Sequence, residues 1–279
     1  MTDIVFLMRE SLAGPEEVWA ARKACVDHDH AQVMTLRTEV QPNDLVVCRY
    51  SLLPYHREVQ AEIRHNHAII CQPSQAHEFL ADATRWAPVL GDMTPAVYGH
   101  WAGLSEGQYV VKGKTNSKKN DWATMMYCPT VADIPIVARR LLEDTYIGQQ
   151  GLVVRPYVPL RKLGEGLNGL PITNEWRVFC WDGKAFAAGF YWGSEPFLAP
   201  YEKIRQEGLR IALQAARLCQ PYDARFVAVD VAETESGAWI VIEVNDGQMS
   251  GLGCIDPNAF YENLLTAIDA SPFPSGDDL

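Results

Sequence analysis

Four of the chain's eight lysines fall within eight residues, Lys112-Gly-Lys-Thr-Asn-Ser-Lys-Lys119, although the protein carries a formal net charge of −11. An acidic, lysine-poor chain that concentrates cations this way has a local anion to neutralise. Gly113 lets the backbone approach closely, and Thr115, Asn116 and Ser117 add donors. A strand running into such a loop suits polyphosphate; the competing reading is a solvated hairpin tip. It is not a Walker A loop, because Gly-x-x-x-x-Gly-Lys-Ser/Thr is absent. A second group lies more than a hundred residues on. Asp230 ends the apolar run that starts at Phe226, and Glu243 and Asn245 follow the run Trp239–Ile242. Alternation along a strand puts Glu243 and Asn245 on one face, about 7 Å apart. Two carboxylates and an amide oxygen suit a hard cation, Mg²⁺ above all. The competing reading is a pair of solvated strand ends.

Between the two groups lies Glu175-Trp-Arg-Val-Phe, in which Glu175, Arg177 and Phe179 share a strand face. Arg177 could clamp a phosphoryl oxygen or simply pair with Glu175. The run Leu152-Val-Val-Arg-Pro-Tyr stops being ladder-competent at Pro156. Its exit is either a slot where a flat base lies against Val and Tyr, or an ordinary strand end. The pairs His28/His30 and His65/His67 read as solvated residues at element ends, since no Cys or Glu at ligand spacing accompanies either.

The positioning elements alternate. Ile4–Met8, Gln32–Leu36, Asp44–Arg49 and Ala68–Cys71 read as strands, with helices at Pro15–Val26, Tyr55–His65 and Gln75–Asp82. This predicts an α/β lobe with a mainly parallel sheet over residues 1–93. From Thr94 a second unit begins. Strands are expected at Pro95–Tyr98, Gly107–Lys112 and from Leu152, and an amphipathic helix at Ile134–Asp144. Arg161–Asn174, with three glycines, reads as a mobile loop. Asp182-Gly183 between two apolar runs predicts a hairpin. A long helix at Tyr201–Cys219, strands at Ala224–Val231 and Trp239–Val244, and a helix at Asn258–Ile268 complete it. The tail 271–279 reads as disordered.

With 48% hydrophobic and 21% charged residues, the chain is an ordinary globular one. The acidic balance argues against nucleic acid, which needs a basic surface. Seven scattered cysteines, odd in number and without a Cys-x-x-Cys, fit free thiols in a reducing compartment, and hence the cytoplasm. No apolar run approaches a membrane span.

In order and spacing, Lys112 to Asp121, Leu152-Val-Val-Arg-Pro-Tyr, Glu175-Trp-Arg-Val-Phe, Asp230 and Glu243-Val-Asn245 resemble the ATP-grasp fold. The closer resemblance is to its divergent clade marked by two lysines and one arginine, which includes a eukaryotic cell-division-cycle protein that assembles a translation initiation factor. The resemblance implies an α/β (α+β) architecture. A pre-ATP-grasp lobe at 1–93 would precede an ATP-grasp domain at 94–270, split into a small lobe (about 94–155) and a large lobe (about 156–270). It implies ATP and Mg²⁺ as cofactors. Lys112 and Arg177 would be catalytic, and Lys112, Lys114, Lys118, Lys119, Arg155, Pro156, Tyr157 and Arg177 would contact nucleotide. Asp230, Glu243 and Asn245 would ligate metal; relatives often have Asp where this chain has Glu243. The strand lysine is Lys112, and the loop lysine is Lys118 or Lys119. The implied activity is carboxylate–amine ligation through an acylphosphate on a peptide, protein or amino-acid acceptor. The alternatives are a non-catalytic ATP-binding assembly chaperone and a nucleotide-binding α/β protein without phosphoryl transfer.

Overall fold

The computed structural model describes residues 3–9 and 11–272; most of the tail expected to be disordered lies outside them. The N-terminal lobe alternates as expected. Strand β1 (Ile4–Leu7) is followed by helix α1 (Pro15–Val26), β2 (Ala31–Met34), β3 (Leu45–Cys48), α2 (His56–His65) and β4 (Ile69–Ile70). The four strands are parallel in the order β2-β1-β3-β4. Pro15 at the first turn of α1, with Glu16 and Glu17 beside it, starts that helix without a side-chain cap. Buried valine, leucine and phenylalanine on both faces of β1 and β3 explain why these strands are continuous apolar runs.

Two short helices follow, α3 (Ser74–Leu80) and α4 (Ala83–Leu90). The expected helix to Asp82 ends two residues early, because the Asp82 carboxylate caps α4 by accepting from the Thr84 amide. Both helices pack away from the N-terminal sheet. Phe79, Trp86 and Leu90 join the core of the C-terminal sheet.

The next unit is a three-stranded antiparallel sheet, β6-β5-β7, built from β5 (Tyr109–Gly113), helix α5 (Trp122–Met125), β6 (Tyr127–Cys128), helices α6 (Ile134–Leu142) and α7 (Ile147–Gln150), and β7 (Leu152–Pro156). Its core is Val111, Val137, Leu141 and Val154. The strand expected at Pro95–Tyr98 reduces to a single bridge, Tyr98 to Val154.

Residues 161–174 correct the expectation of a mobile loop. They form a hairpin of β8 (Lys162–Glu165) and β9 (Pro171–Thr173), turned by Asn168 and Gly169 at positive φ. A side chain at Gly164 would place its Cβ 2.7 Å from Leu198. That glycine serves close packing rather than flexibility.

The last sheet, β11-β10-β12-β13, is antiparallel. It comprises β10 (Glu175–Trp181), β11 (Lys184–Phe190), β12 (Phe226–Glu233) and β13 (Trp239–Asp246). Asp182 and Gly183 both take positive φ between β10 and β11, the geometry of a tight hairpin. One face carries α8 (Gln206–Cys219) over Val178, Val229 and Val241. Helix α8 starts five residues later than expected: Tyr201 instead meets the Arg161 guanidinium and lies under that of Arg205. The other face packs Phe179, Phe226 and Ala228 against α1, the N-terminal sheet and α9 (Pro257–Ala270), which is capped by Asp256.

Candidate functional site

Three strands of the C-terminal sheet put one charged residue each on the same row. Arg177 of β10 stands opposite Asp230 of β12, and Asp230 stands opposite Glu243 of β13. The third member depends on an irregularity. Asp230 pairs with Glu243 but the next residue, Val231, pairs with Val241, so Ile242 is an extra residue in β13. Without that bulge Glu243 would share the buried face of Val241. With it, Glu243 and Asn245 turn to the face of Arg177 and Asp230, while Val241 and Val244 both stay in the core under α8.

The row is charged and nearly dry. The Arg177 guanidinium makes two parallel bonds to Asp230, Nε to Oδ1 at 2.7 Å and Nη2 to Oδ2 at 2.8 Å. Its Nη1 donates to the Gly251 carbonyl at 2.7 Å, and its plane lies 4.9 Å from the Tyr191 ring centre. Asp230 is fully buried. From the small lobe, Lys112 on β5 pairs with Glu243. Burial alone would raise the Glu243 carboxyl, but Lys112 and Lys119 outweigh it and hold the group at about 2. Lys119 donates to the Tyr191 hydroxyl at 2.6 Å and lies over that ring. Burial opposes its charge, yet Glu175, Tyr191 and Glu243 push it above the ordinary ammonium value. Arg155 gives Nη1 to the Ile242 carbonyl at 2.7 Å, beside the bulge. Glu175 is buried with one oxygen unpartnered; burial raises its carboxyl, against the pull of Lys119.

Lys112, Lys119, Arg155, Arg177, Asp230, Glu243 and Asn245, separate in sequence, therefore converge. Two of the four lysines do not join them. Lys114 pairs with Asp82 at 2.6 Å, tying the loop to the start of α4, and Lys118 pairs with Asp144 at 2.5 Å within the small lobe. Pro156 ends β7. Tyr157 follows it and meets Tyr127 and Trp122, ring centres 5.1 and 6.3 Å away. The Tyr157 amide donates to the Gln108 carbonyl, which extends the β5–β7 ladder by one bond.

A cleft of about 310 Å³ opens on this row. Arg177, Glu243 and Asn245 form its floor, the loop 115–117 one wall, and Ser51 and Leu53 of the N-terminal lobe another. The Thr115 hydroxyl is buried without a partner. The far wall, Met249 to Gly251, is held by Arg49 at the end of β3, which donates to the Gly247, Gln248 and Ser250 carbonyls. Also at the wall, His77 of α3 meets Asp246, Nδ1 to Oδ2 at 3.0 Å. Neither His77 nor Asp246 stood out in the sequence: Asp246 sits at the end of a strand already marked by its neighbours, and His77 is a lone histidine on a helix 169 residues away.

The donors facing the cleft fit a magnesium–polyphosphate. Glu243 and Asn245 line the cleft with oxygens and Arg177 with a cation; behind them Asp230 adds a buried carboxylate, and Lys112, Lys119 and Arg155 add cations to the same row. A cleft floored by Arg177, Glu243 and Asn245 between an antiparallel small lobe and a larger antiparallel sheet, with a parallel α/β lobe in front, is the arrangement of an ATP-grasp protein. Residues 98–264 match the ATP-grasp domain model for family 3 of the clade marked by one arginine and two lysines, and the chain belongs to that family. Solved structures share the fold throughout. D-cycloserine synthetase DcsG superposes with a TM-score of 0.62 at 13% identity, over 94% of this chain and 99% of its own. D-alanyl-alanine synthetase A from Vibrio cholerae gives 0.59 at 12% identity, over 100% and 99%. The macrocyclase MdnC bound with precursor peptide MdnA, from Microcystis aeruginosa, gives 0.56 at 12%, over 96% and 100%. No curated protein matches in sequence. Among the described residues no helix is long and apolar enough to cross a membrane.

Proposed function

We propose that the protein is an ATP- and Mg²⁺-dependent ligase that activates a carboxylate by phosphoryl transfer and passes it to an amine. The observation that carries this reading is the row Arg177–Asp230–Glu243, met from the opposite lobe by Lys112. In the absence of nucleotide these groups neutralise one another in pairs. Asp230, Glu243 and Asn245 would hold Mg²⁺ through their oxygens, and Lys112, Lys119 and Arg177 would meet the phosphate oxygens. Mg²⁺ held there would offset the charge that builds on the transferring phosphoryl group.

The residues then have distinct tasks. With Asp230 given to the cation, Arg177 would keep the Gly251 carbonyl and the Tyr191 ring, which hold its direction towards the phosphates. Lys112 and Lys119 screen the phosphates from the small lobe, with Thr115 as a further donor. Lys114 and Lys118 anchor the loop through Asp82 and Asp144. With the Tyr157 amide committed to Gln108, an adenine stacked near Pro156 and Tyr157 would be read by the backbone that follows. The acceptor enters beside Ser51 and Leu53, between Arg177 and the wall at 249–251. A D-alanyl-alanine synthetase and a macrocyclase bound with its precursor peptide among the structural neighbours support an amino acid or peptide there.

The test is calorimetric titration of ATP with Mg²⁺, followed by ADP release across a panel of amino acids and short peptides. Binding that needs both Asp230 and Lys112, with ADP release stimulated by an acceptor, is expected. No binding at millimolar ATP and Mg²⁺ overturns the proposal.

A further inference from the structure

A second cluster of chemistry-bearing side chains lies outside the cleft. His28 and His30, in the turn between α1 and β2, face the C-terminal helix α9. His30 Nε2 lies 2.9 Å from Asp269 Oδ1, and His28 Nδ1 lies 3.9 Å from Asp269 Oδ2. The other nitrogen of His28 is 3.6 Å from Glu262, two turns earlier on the same face of α9. One ligand atom each from His28, His30 and Asp269 all lie within 4.8 Å of one another. We propose that His28, His30 and Asp269, with Glu262 beside them, bind a divalent transition metal of the zinc class.

The donor set argues for that class. Two imidazoles and a carboxylate are the ligands of borderline ions such as Zn²⁺ or Cu²⁺, whereas Mg²⁺ takes oxygen. Neighbouring ligands around a tetrahedral zinc stand roughly 3.4 Å apart, so the three side chains need to move by only about an ångström. The backbone beneath them is anchored: the His30 carbonyl accepts from Ile4 at 2.7 Å, and the His28 carbonyl from Ala31 at 2.9 Å. The four side chains are between 21% and 45% exposed, open enough for an ion to enter and for water or Glu262 to complete the shell. The alternative for a carboxylate meeting two histidines is an ion-pair cluster. The two differ in one respect: a metal site binds zinc in a one-to-one ratio through these side chains. Occupied, it would join the turn after α1 to the last turn of α9, 239 residues apart, and stabilise the fold by mass action.

The experiment is titration of zinc chloride into metal-stripped full-length protein, by calorimetry and by competition with a zinc-sensitive dye, together with thermal unfolding. We expect one zinc bound in the micromolar range and a raised unfolding midpoint. His30→Ala, His28→Ala and Asp269→Asn should each weaken binding at least tenfold and abolish the shift, while Glu243→Gln in the cleft leaves both unchanged. Wild-type protein that binds no zinc below about 100 µM, or His28→Ala and His30→Ala variants that bind like wild type, overturns the proposal.

Discussion

Replacing Arg177 with methionine should damage the protein twice, once in its stability and once in its ligand binding, and the two losses can be separated. Asp230 has a side chain only 1% exposed, and both of its oxygens accept from Arg177, at 2.7 and 2.8 Å. Methionine fills most of the volume but leaves that carboxylate buried without its cation. Removing one partner of a buried pair costs about 3–5 kcal/mol, because the stranded charge has neither water nor a counter-ion. Asp230→Asn should cost less, since Arg177 keeps the Gly251 carbonyl and the Tyr191 ring. In the double variant, Arg177→Met with Asp230→Asn, no unpaired buried charge remains. Most of the lost stability should therefore return, with a coupling of about 2 kcal/mol or more in a double-mutant cycle. Nucleotide binding should not return, because both the oriented guanidinium and the carboxylate ligand are gone. Urea unfolding monitored by tryptophan fluorescence gives the first quantity and calorimetry with ATP and Mg²⁺ the second. An Arg177→Met variant destabilised by less than about 1 kcal/mol would refute the buried-charge reasoning. So would a double variant whose loss equals the sum of the singles.

Two further outcomes follow from the geometry. The Glu243 carboxyl sits at about 2, against an ordinary value of 4.5, so its contribution is complete above the ordinary value and is lost as pH falls towards 2. The urea midpoint of wild type should accordingly fall more steeply between those two pH values than that of Lys112→Met, which removes the first of the two lysines holding the carboxyl down; equal slopes would contradict that assignment. Gly247→Ala would drive a Cβ into the ring of Phe226, which is fully buried. Overpacking of this kind should lower stability by about 1–3 kcal/mol, and an unchanged midpoint in urea would show that the ring can move aside.

Much of the architecture was legible because its signals are local. Proline followed by two glutamates marks the start of α1, Asp182-Gly183 marks the tightest hairpin, and strand–helix alternation marks the parallel N-terminal sheet. Local signals mislead where a residue answers to something distant. Gly164 looked like loop flexibility, but it is small because Leu198 lies against it. Tyr201 looked like the start of a helix, but its ring and hydroxyl are taken by Arg205 and Arg161. Helices α3 and α4 lie within the lobe expected at 1–93, yet bury Phe79 and Trp86 on the C-terminal sheet.

The candidate site divides in the same way. Residue types and strand periodicity are enough to nominate the lysines of 112–119, Arg177, Asp230, Glu243 and Asn245, because a run of lysines in an acidic chain and oxygens at the end of a buried strand are readable from covalent order alone; the family resemblance singles out Lys112. Which groups face one another is not, because pairing is decided by register. Arg177 meets Asp230 because β10 and β12 align them, and Glu243 joins the row because one extra residue in β13 reverses its side. The split of the four lysines, with Lys112 and Lys119 at the row and Lys114 and Lys118 tied to carboxylates elsewhere, likewise depends on where Asp82 and Asp144 come to rest. So does the meeting of His28 and His30 with Asp269. Charges act over a few ångströms of space, and distance along the chain sets no limit on which of them folding brings together.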